Sequence, residues 1–447
     1  MVLLVIKSAK RVAEAGLCVG CGVCMSICPF DAVNMVKDDT LGIYKPVVSE
    51  KCEECGLCVE TCFGIGIDPK LGSDIFKKGS KDPLLGVCLN CYAGCACNSD
   101  IRFNSASGGI VTALLLYALE EKMVNGVLVT KMDENKALEP KPFIAKTRSE
   151  VTSAARSKYC PVPADVALKV IMQEEGHYAV VGLPCHIYGI RKAESIYPDL
   201  ADKIRFHIGI LCGGTQSFLA TEYLLRRHKV RREEIRRIEY RGEGWPGKML
   251  IEGIRDDKLL LPYPEYWEAF GSLFLPYGCT LCADGFNRFA DISCGDAWLP
   301  EYQGDNLGTS LIITRNKIGE QLMSGAYEKR AIQIKKVECA RMMQAQKSMI
   351  RFKTRNLRTR FQLMKTLGRP LPFYSNKNVE TPPPTLTNYV HCALFYLLRL
   401  IASKRHMWNL LDAYHALRQY VPQVRARSLY VSRLRHQRDH NDCQRAF

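Results

Sequence analysis

The residues best suited to chemistry are the cysteines, which fall into repeated, evenly spaced runs. The first run is Cys18-x2-Cys21-x2-Cys24-x3-Cys28-Pro29, and the second is Cys52-x2-Cys55-x2-Cys58-x3-Cys62-Phe63. The second repeats the first after 34 residues, inside a stretch of about 70. Cysteines two residues apart turn their thiolates inward around one centre. Four such thiolates suit either a zinc ion or a [4Fe–4S] cluster. Two tandem four-cysteine runs of this spacing, with a proline after the first, favour iron–sulfur over zinc.

The pair of runs resembles the two-cluster bacterial ferredoxins. In that pattern the fourth cysteine of each run crosses to the neighbouring cluster. The resemblance implies that Cys18, Cys21, Cys24 and Cys62 hold one [4Fe–4S] cluster, and Cys52, Cys55, Cys58 and Cys28 the other. Two adjacent clusters make a wire for electrons rather than a store. Cys88, Cys91, Cys95 and Cys97 follow at irregular spacing. They admit a further cluster site or a zinc knuckle, but buried or linker thiols are the favoured reading.

The elements that must position a second set of cysteines read as alternating strand and helix. An amphipathic helix is predicted over 110–122, after Ser105-Ala106-Ser107-Gly108-Gly109, and buried strands over 127–130, 178–183 and 204–211. The small-residue loop before that helix offers backbone N–H groups to an anion, but taken alone a plain helix cap is the favoured reading. Cys185 and Cys212 each sit just beyond a strand, where open α/β sheets bind ligands. With the Cys279-x2-Cys282 pair they can supply four thiolates to one more cluster, with Cys294 as a substitute, or they are simply buried.

Six short pieces occur in order: Ser107-Gly108-Gly109-Ile110-Val111-Thr112, Arg156-Ser157-Lys158-Tyr159, Gly182-Leu183-Pro184-Cys185, Gly209-Ile210-Leu211-Cys212-Gly213, Cys279-x2-Cys282 and Asp291-Ile292-x2-Gly295-Asp296-x-Trp298. In this order the chain resembles the coenzyme F420 hydrogenase/dehydrogenase beta-subunit family, fused to a two-cluster ferredoxin head. The resemblance implies one FAD and a third [4Fe–4S] cluster in the body. Cys185, Cys212, Cys279 and Cys282 fall on its cluster-ligand positions, which leaves Cys294 a bystander. Ser107, Gly108, Gly109 and Thr112 fall on the segment that meets the flavin phosphates, and Ser157, Lys158 and Tyr159 on a second flavin-side segment. Lys158 is a candidate catalytic residue that stabilises reduced flavin by its charge, against phosphate binding or a solvated side chain. His186 is a candidate proton relay, against a helix-start role.

The implied fold combines α+β and α/β parts in five regions: a ferredoxin-like domain over 1–75, a cysteine-containing linker over 76–98, family N- and C-terminal regions over 99–175 and 176–345, and a basic helical extension over 346–447. The implied activity is that of an FAD- and iron–sulfur-dependent oxidoreductase, with coenzyme F420 or ferredoxin as electron partner. The alternatives are an electron-transfer subunit of a larger redox complex, or a ferredoxin-dependent reductase of an organic substrate such as one in polysaccharide biosynthesis. No Gly-x-Gly-x-x-Gly follows a strand, which disfavours a nicotinamide site.

Length and charge fit this reading. The chain has 447 residues, 21 cysteines and a net charge of +16, with 47% hydrophobic and 24% charged residues, which excludes global disorder. So long a chain builds its core without disulfide staples, and the apolar start Met1–Ile6 is shorter than a secretory signal requires, so a reducing cytoplasmic setting is expected. Residues 347–447 carry 19 Lys+Arg and 4 Asp+Glu, a net of +15. The run Ala393–Leu398 within this tail is too short and too charged a setting for a membrane span. Packing on the body or a partner subunit is the first reading of the tail. Attachment to an anionic membrane surface is the second, and specific nucleic-acid binding is disfavoured.

Overall fold

The computed structural model describes residues 6–68, 70–354, 356–374 and 383–418. The head begins with an antiparallel hairpin of Val33–Asp38 (β1) and Ile43–Val48 (β2). Each cysteine run carries a one-turn helix, Val23–Ser26 in the first and Leu57–Glu60 in the second. Both turns start from a glycine in the left-handed region, Gly22 at φ +93° and Gly56 at φ +82°, which are equivalent positions of the repeat. Their surroundings differ. A β-carbon on Gly22 would lie 2.8 Å from Val166 and 3.2 Å from the Pro163 carbonyl, whereas nothing lies within 4 Å of one on Gly56. The first run is therefore pressed against the body and the second is open.

A small hairpin of Ser80–Asp82 (β3) and Gly86–Cys88 (β4) leads into the body. Five strands follow: Asn90–Ala96 (β5), Gly126–Met132 (β6), Pro140–Ala145 (β7), Tyr178–Gly182 (β8) and Ile204–Ile210 (β9). A separate antiparallel sheet is made by Ile235–Glu239 (β10), Lys248–Gly253 (β11) and Lys258–Pro262 (β12). Ile292–Asp296 (β13), Ser310–Thr314 (β14) and Ile332–Val337 (β15) complete the main sheet, whose order is β15-β5-β14-β13-β9-β8-β6-β7. Its four central strands, β13, β9, β8 and β6, run parallel, and the others pair antiparallel. The predicted helix and strands of the body are present, as the helix Ile110–Glu120 and as β6, β8 and β9.

One expectation about organisation is corrected. Residues 76–98 are not a linker, because β5 is an interior strand of the main sheet and Cys91, Ala93 and Ala96 on it are buried. The head has a small apolar cluster of its own around Ala9, Cys24 and Val33, while its Val23, Ile27, Phe63 and Ile67 pack in one cluster with Leu168, Ile171, Ile187 and Tyr188 of the body. The start of the basic tail packs on the body, the first reading of it. Its helices Lys347–Thr354 and Leu357–Thr366 bury Lys353 and Arg360. Farther along, Phe373 N–H donates to the Ile65 carbonyl at 2.5 Å, and Tyr277 Oη donates to the Pro370 carbonyl at 2.8 Å.

The chain divides into two units, 1–393 and 394–447. The second contains the end of the helix Leu386–Ala402 and a turn at Arg405–Met407, where Trp408 Nε1 donates to the Ala402 carbonyl. No helix among the described residues is long and apolar enough to cross a membrane. Of the basic helical extension predicted over 346–447, residues 419–447 lie outside the described residues.

Candidate functional site: three sets of thiols in a row

The head thiols separate into the two crosswise groups. Cys28, Cys52, Cys55 and Cys58 line one surface cavity. Cys18 and Cys24 instead face Cys62: burial pushes the Cys18 thiol up to about 12, and the neighbouring charges of Cys62 and Cys279 add to that. Burial and the charges of Cys18 and Cys62 hold Cys24 well above its ordinary value. Thiols so placed bind only as thiolates neutralised by a metal centre, because burial without one disfavours the charge.

In the body, the parallel pairing of β8 with β9 sets their C-terminal ends side by side. Asn287 ties the two ends together by donating from Nδ2 to the Gly182 and Ile210 carbonyls at 2.8 and 3.2 Å. Cys185 and Cys212 leave from these ends, and the short helix Tyr277–Thr280 brings up Cys279 and then Cys282. Burial raises Cys185 well above its ordinary value, and the charges of Cys212, Cys279 and Cys282 raise it further. The structure thus brings together the four body cysteines picked from the sequence. Cys294 lies apart, buried in the apolar core with Ile292 and Ile312.

The body set and the first head set are near enough to act on each other by charge. Cys18 feels the charge of Cys279, and Cys21 feels that of Cys185. Asp165 lies between them. Its N–H donates to the Cys21 carbonyl at 2.9 Å, its side chain is fully buried, and neither carboxylate oxygen has a hydrogen-bond partner. Burial raises its carboxyl well above the usual range. The row continues from Cys24 and Cys62 to Cys58 and so to the exposed second set.

Two residues of this site were invisible to sequence reasoning because they come from the basic tail. Lys353 is buried against the body thiols. Burial alone would lower its pKa, but the charges of Cys282 and Cys212 outweigh that and hold it above the ordinary lysine value. Tyr374 also lies within reach of Cys282. Only folding brings these residues to Cys282; the surplus of basic residues in the tail was the sole hint.

The two segments that the resemblance assigned to a flavin meet at a second place. Ser107 Oγ donates to the Thr309 carbonyl at 3.0 Å, and Gly108 N–H donates to Ser310 Oγ at 3.0 Å. A β-carbon at Gly308 would lie 3.0 Å from Trp245 and 3.1 Å from Ser107, so these residues share one wall. Asp296 accepts two hydrogen bonds from Arg241 at 2.9 Å and one from Trp245 Nε1 at 2.8 Å. Tyr159 Oη accepts from Arg241 at 3.2 Å, and its ring packs on Trp267 at 5.0 Å. Tyr263 stacks on both Trp267 and Trp298. The helix Ile110–Glu120 starts from Gly109 at φ +76° with no side-chain cap, and Thr112 is buried in its first turn. Ser157 is half-buried beside this wall in sequence, next to Lys158.

The two candidate catalytic residues have other work. Lys158 Nζ donates to the carbonyls of Ala154, Ala155 and Arg156 at 2.6, 2.7 and 3.0 Å, closing the end of the helix Arg148–Ser153. All three donors are used, so it is neither solvated nor free to grip a phosphate, and burial lowers its pKa to about 8. His186 accepts from Leu183 N–H through Nδ1 at 3.1 Å and faces the Val162 carbonyl through Nε2 at 3.0 Å. These partners fix the neutral ring, and burial lowers its pKa to about 4. His186 is the helix-start residue of the two readings and not a relay near pH 7.

Comparison with known proteins agrees with this architecture. Residues 10–63 match the 4Fe-4S dicluster domain model. Residues 91–169 and 176–339 match the models of the N-terminal and C-terminal parts of the coenzyme F420 hydrogenase/dehydrogenase beta subunit. The protein is an iron–sulfur protein of the oxidoreductase class. The chain belongs to the coenzyme F420 hydrogenase/dehydrogenase beta-subunit family, with a dicluster domain at its head. It is 28% identical over 264 residues to the coenzyme F420 hydrogenase subunit beta of Methanosarcina barkeri, covering 58% of this chain and 85% of the relative. It is 24% identical over 350 residues to a coenzyme F420-dependent sulfite reductase of Methanocaldococcus jannaschii, covering 75% of this chain and 50% of that one. In fold it is similar to a chain of the F420-reducing [NiFe] hydrogenase complex from Methanosarcina barkeri, at a TM-score of 0.52 and 24% identity, over 67% of this chain and 99% of that chain.

Proposed function

We propose that the chain carries three [4Fe–4S] clusters and one FAD, and moves electrons between two-electron chemistry at the body and a one-electron partner at the open end of the head. The observation that carries this reading is the row of three thiol sets, with the body set against the first head set. Cys18, Cys21, Cys24 and Cys62 hold the inner head cluster, Cys28, Cys52, Cys55 and Cys58 the outer one, and Cys185, Cys212, Cys279 and Cys282 the body cluster. When bound, the flavin supplies paired-electron exchange and the clusters supply single-electron steps.

The chain's own residues bind, orient and exclude water. The uncapped N–H groups after Gly109, with Ser107, Gly108 and Thr112, take the flavin phosphates. The aromatic wall of Tyr159, Tyr263, Trp245 and Trp298 faces the planar ring, and the Arg241–Asp296 pair fixes that wall. Ser157 lines the approach. Lys158 acts by holding the helix end that carries Tyr159, and its buried charge acts only at a distance. Lys353 sets a positive charge against the body thiolates.

The electron partner is coenzyme F420 or ferredoxin, and the printed names of the hydrogenase and sulfite reductase relatives support the first. A second reading is an electron-transfer subunit that serves another redox chain, favoured by the relatives that are named as subunits. Anaerobic addition of reduced F420, reduced ferredoxin and NAD(P)H, read by flavin bleaching, tests the proposal. Reduced F420 or ferredoxin bleaches the flavin and NAD(P)H does not. A flavin-free anaerobic preparation overturns the FAD assignment, and bleaching by NAD(P)H alone overturns the choice of partner.

A further inference from the structure

Away from these sets, Cys88, Cys91 and Cys339 bring three sulfur atoms together. Cys339 lies 2.9 Å from Cys88 and 3.0 Å from Cys91, and the latter two are 3.5 Å apart. The fold makes this meeting from distant pieces of chain. Cys88 ends β4, Cys91 lies on β5, and β15 pairs with β5 so that Val337 stands opposite Cys91. Cys339 then opens the next helix, Cys339–Ala345. Cys88 and Cys91 are buried and Cys339 is half-buried.

A second observation points to an occupant. Arg315 follows β14 into the same place, and its side chain is 1% exposed. Nη2 donates to the Leu85 and Phe286 carbonyls at 2.9 and 3.0 Å, while Nε and Nη1 have no hydrogen-bond partner. The guanidinium feels the charge of the buried Asp284 most, and then those of Cys88 and Cys91. Asp284 answers part of the buried cation's charge, and a negative centre at the three thiols would complete it.

We propose that Cys88, Cys91 and Cys339 bind one zinc ion as thiolates, with water in the fourth position and Arg315 balancing the charge. Three thiolates and one Zn2+ leave a net charge of −1, which the guanidinium neutralises. Binding releases three protons and changes no oxidation state. Zinc–sulfur bonds of about 2.3 Å in a tetrahedron set the sulfurs about 3.8 Å apart; the sulfurs stand 2.9, 3.0 and 3.5 Å apart, so an ion seats with a small outward shift of the three side chains. A cubane cluster attaches each thiolate to a different iron and needs them farther apart, so a single ion suits this set. The ion pins the β4–β5 junction to the helix that leads into the cluster-facing tail.

Metal analysis of the full chain, grown with zinc and iron and purified anaerobically, tests the site. Wild type contains about one zinc per chain. Cys339→Ser and Cys91→Ser lose it with iron content unchanged. Zinc-edge X-ray absorption on wild type, which needs no variant to fold, shows three sulfurs and one lighter atom. A zinc-free wild type, zinc undiminished in Cys339→Ser, iron lost in place of zinc, or a disulfide among these cysteines in freshly prepared protein each overturns the proposal.

Discussion

Gly278 and Leu17 are in backbone contact: a β-carbon at 278 would stand 2.5 Å from the Leu17 carbonyl oxygen. Each is the immediate neighbour of a cysteine assigned to a cluster in the proposed function, Cys279 in the body and Cys18 in the head. On that proposal, the contact sets the gap across which electrons pass. Gly278→Ala forces backbone apart, at a cost of about 1–3 kcal/mol. Thermal unfolding detects the loss, and stopped-flow spectroscopy shows slower reduction of the head clusters with unchanged flavin reduction. Unchanged head reduction would show that this contact does not set the gap.

Lys353 places a buried positive charge against Cys282 and Cys212. Removing it disfavours the more negative, reduced state of the body cluster. In Lys353→Met the potential of that cluster falls by roughly 60 mV, the one-electron equivalent of a tenfold change in equilibrium. A redox titration followed by EPR checks this, with Lys353→Arg staying near wild type. A potential that does not fall in Lys353→Met would remove Lys353 from the site.

Asp296 holds Arg241 and Trp245 together through three hydrogen bonds. Asp296→Asn leaves the buried Arg241 charge unpaired, a change that costs about 3–5 kcal/mol when a buried pair loses one partner. The aromatic wall loosens with it. Purified variant is expected to hold less than half the flavin of wild type at equal iron content, measured by absorbance after acid release. Full flavin occupancy would place the flavin elsewhere.

The Asp291 of the sequence motif serves a buried charge network. His207 Nδ1 lies 3.1 Å from Asp291 and Nε2 lies 2.7 Å from Glu194, while Arg191 pairs with both carboxylates. Burial and Arg191 lower the His207 pKa, but the two carboxylates outweigh them and raise it above 6.5. A raised folded value means that this proton stabilises the fold fully below about 6.5 and less as pH rises through the folded value. Urea unfolding of wild type and His207→Gln is expected to differ most at pH 6 and progressively less toward pH 9. A pH-independent difference would mean that the proton is not held.

The head was legible in the sequence because its ligands are spaced by covalent geometry within one short run. The strand-end cysteines were legible because β8 is an uninterrupted apolar strand and β9 a mostly apolar one, and they stop at Gly182 and Ile210. Lys353, Cys339 and Arg315 could not be read, because nothing local marks a residue that meets its partner across the sheet. Lys158 and His186 stand next to predicted site residues in the chain, and their side chains turn to a helix end and a helix start, contacts that only the folded chain displays.

On the proposed function, a body cluster stands beside the inner head cluster. EPR of the fully reduced anaerobic protein, together with iron analysis, tests it most directly. About twelve irons per chain are predicted if three four-iron clusters are present, with signals broadened by mutual coupling. Cys279→Ser should lose about four irons and relieve the broadening of one head cluster. About eight irons in wild type, with head signals unchanged by Cys279→Ser, would contradict it.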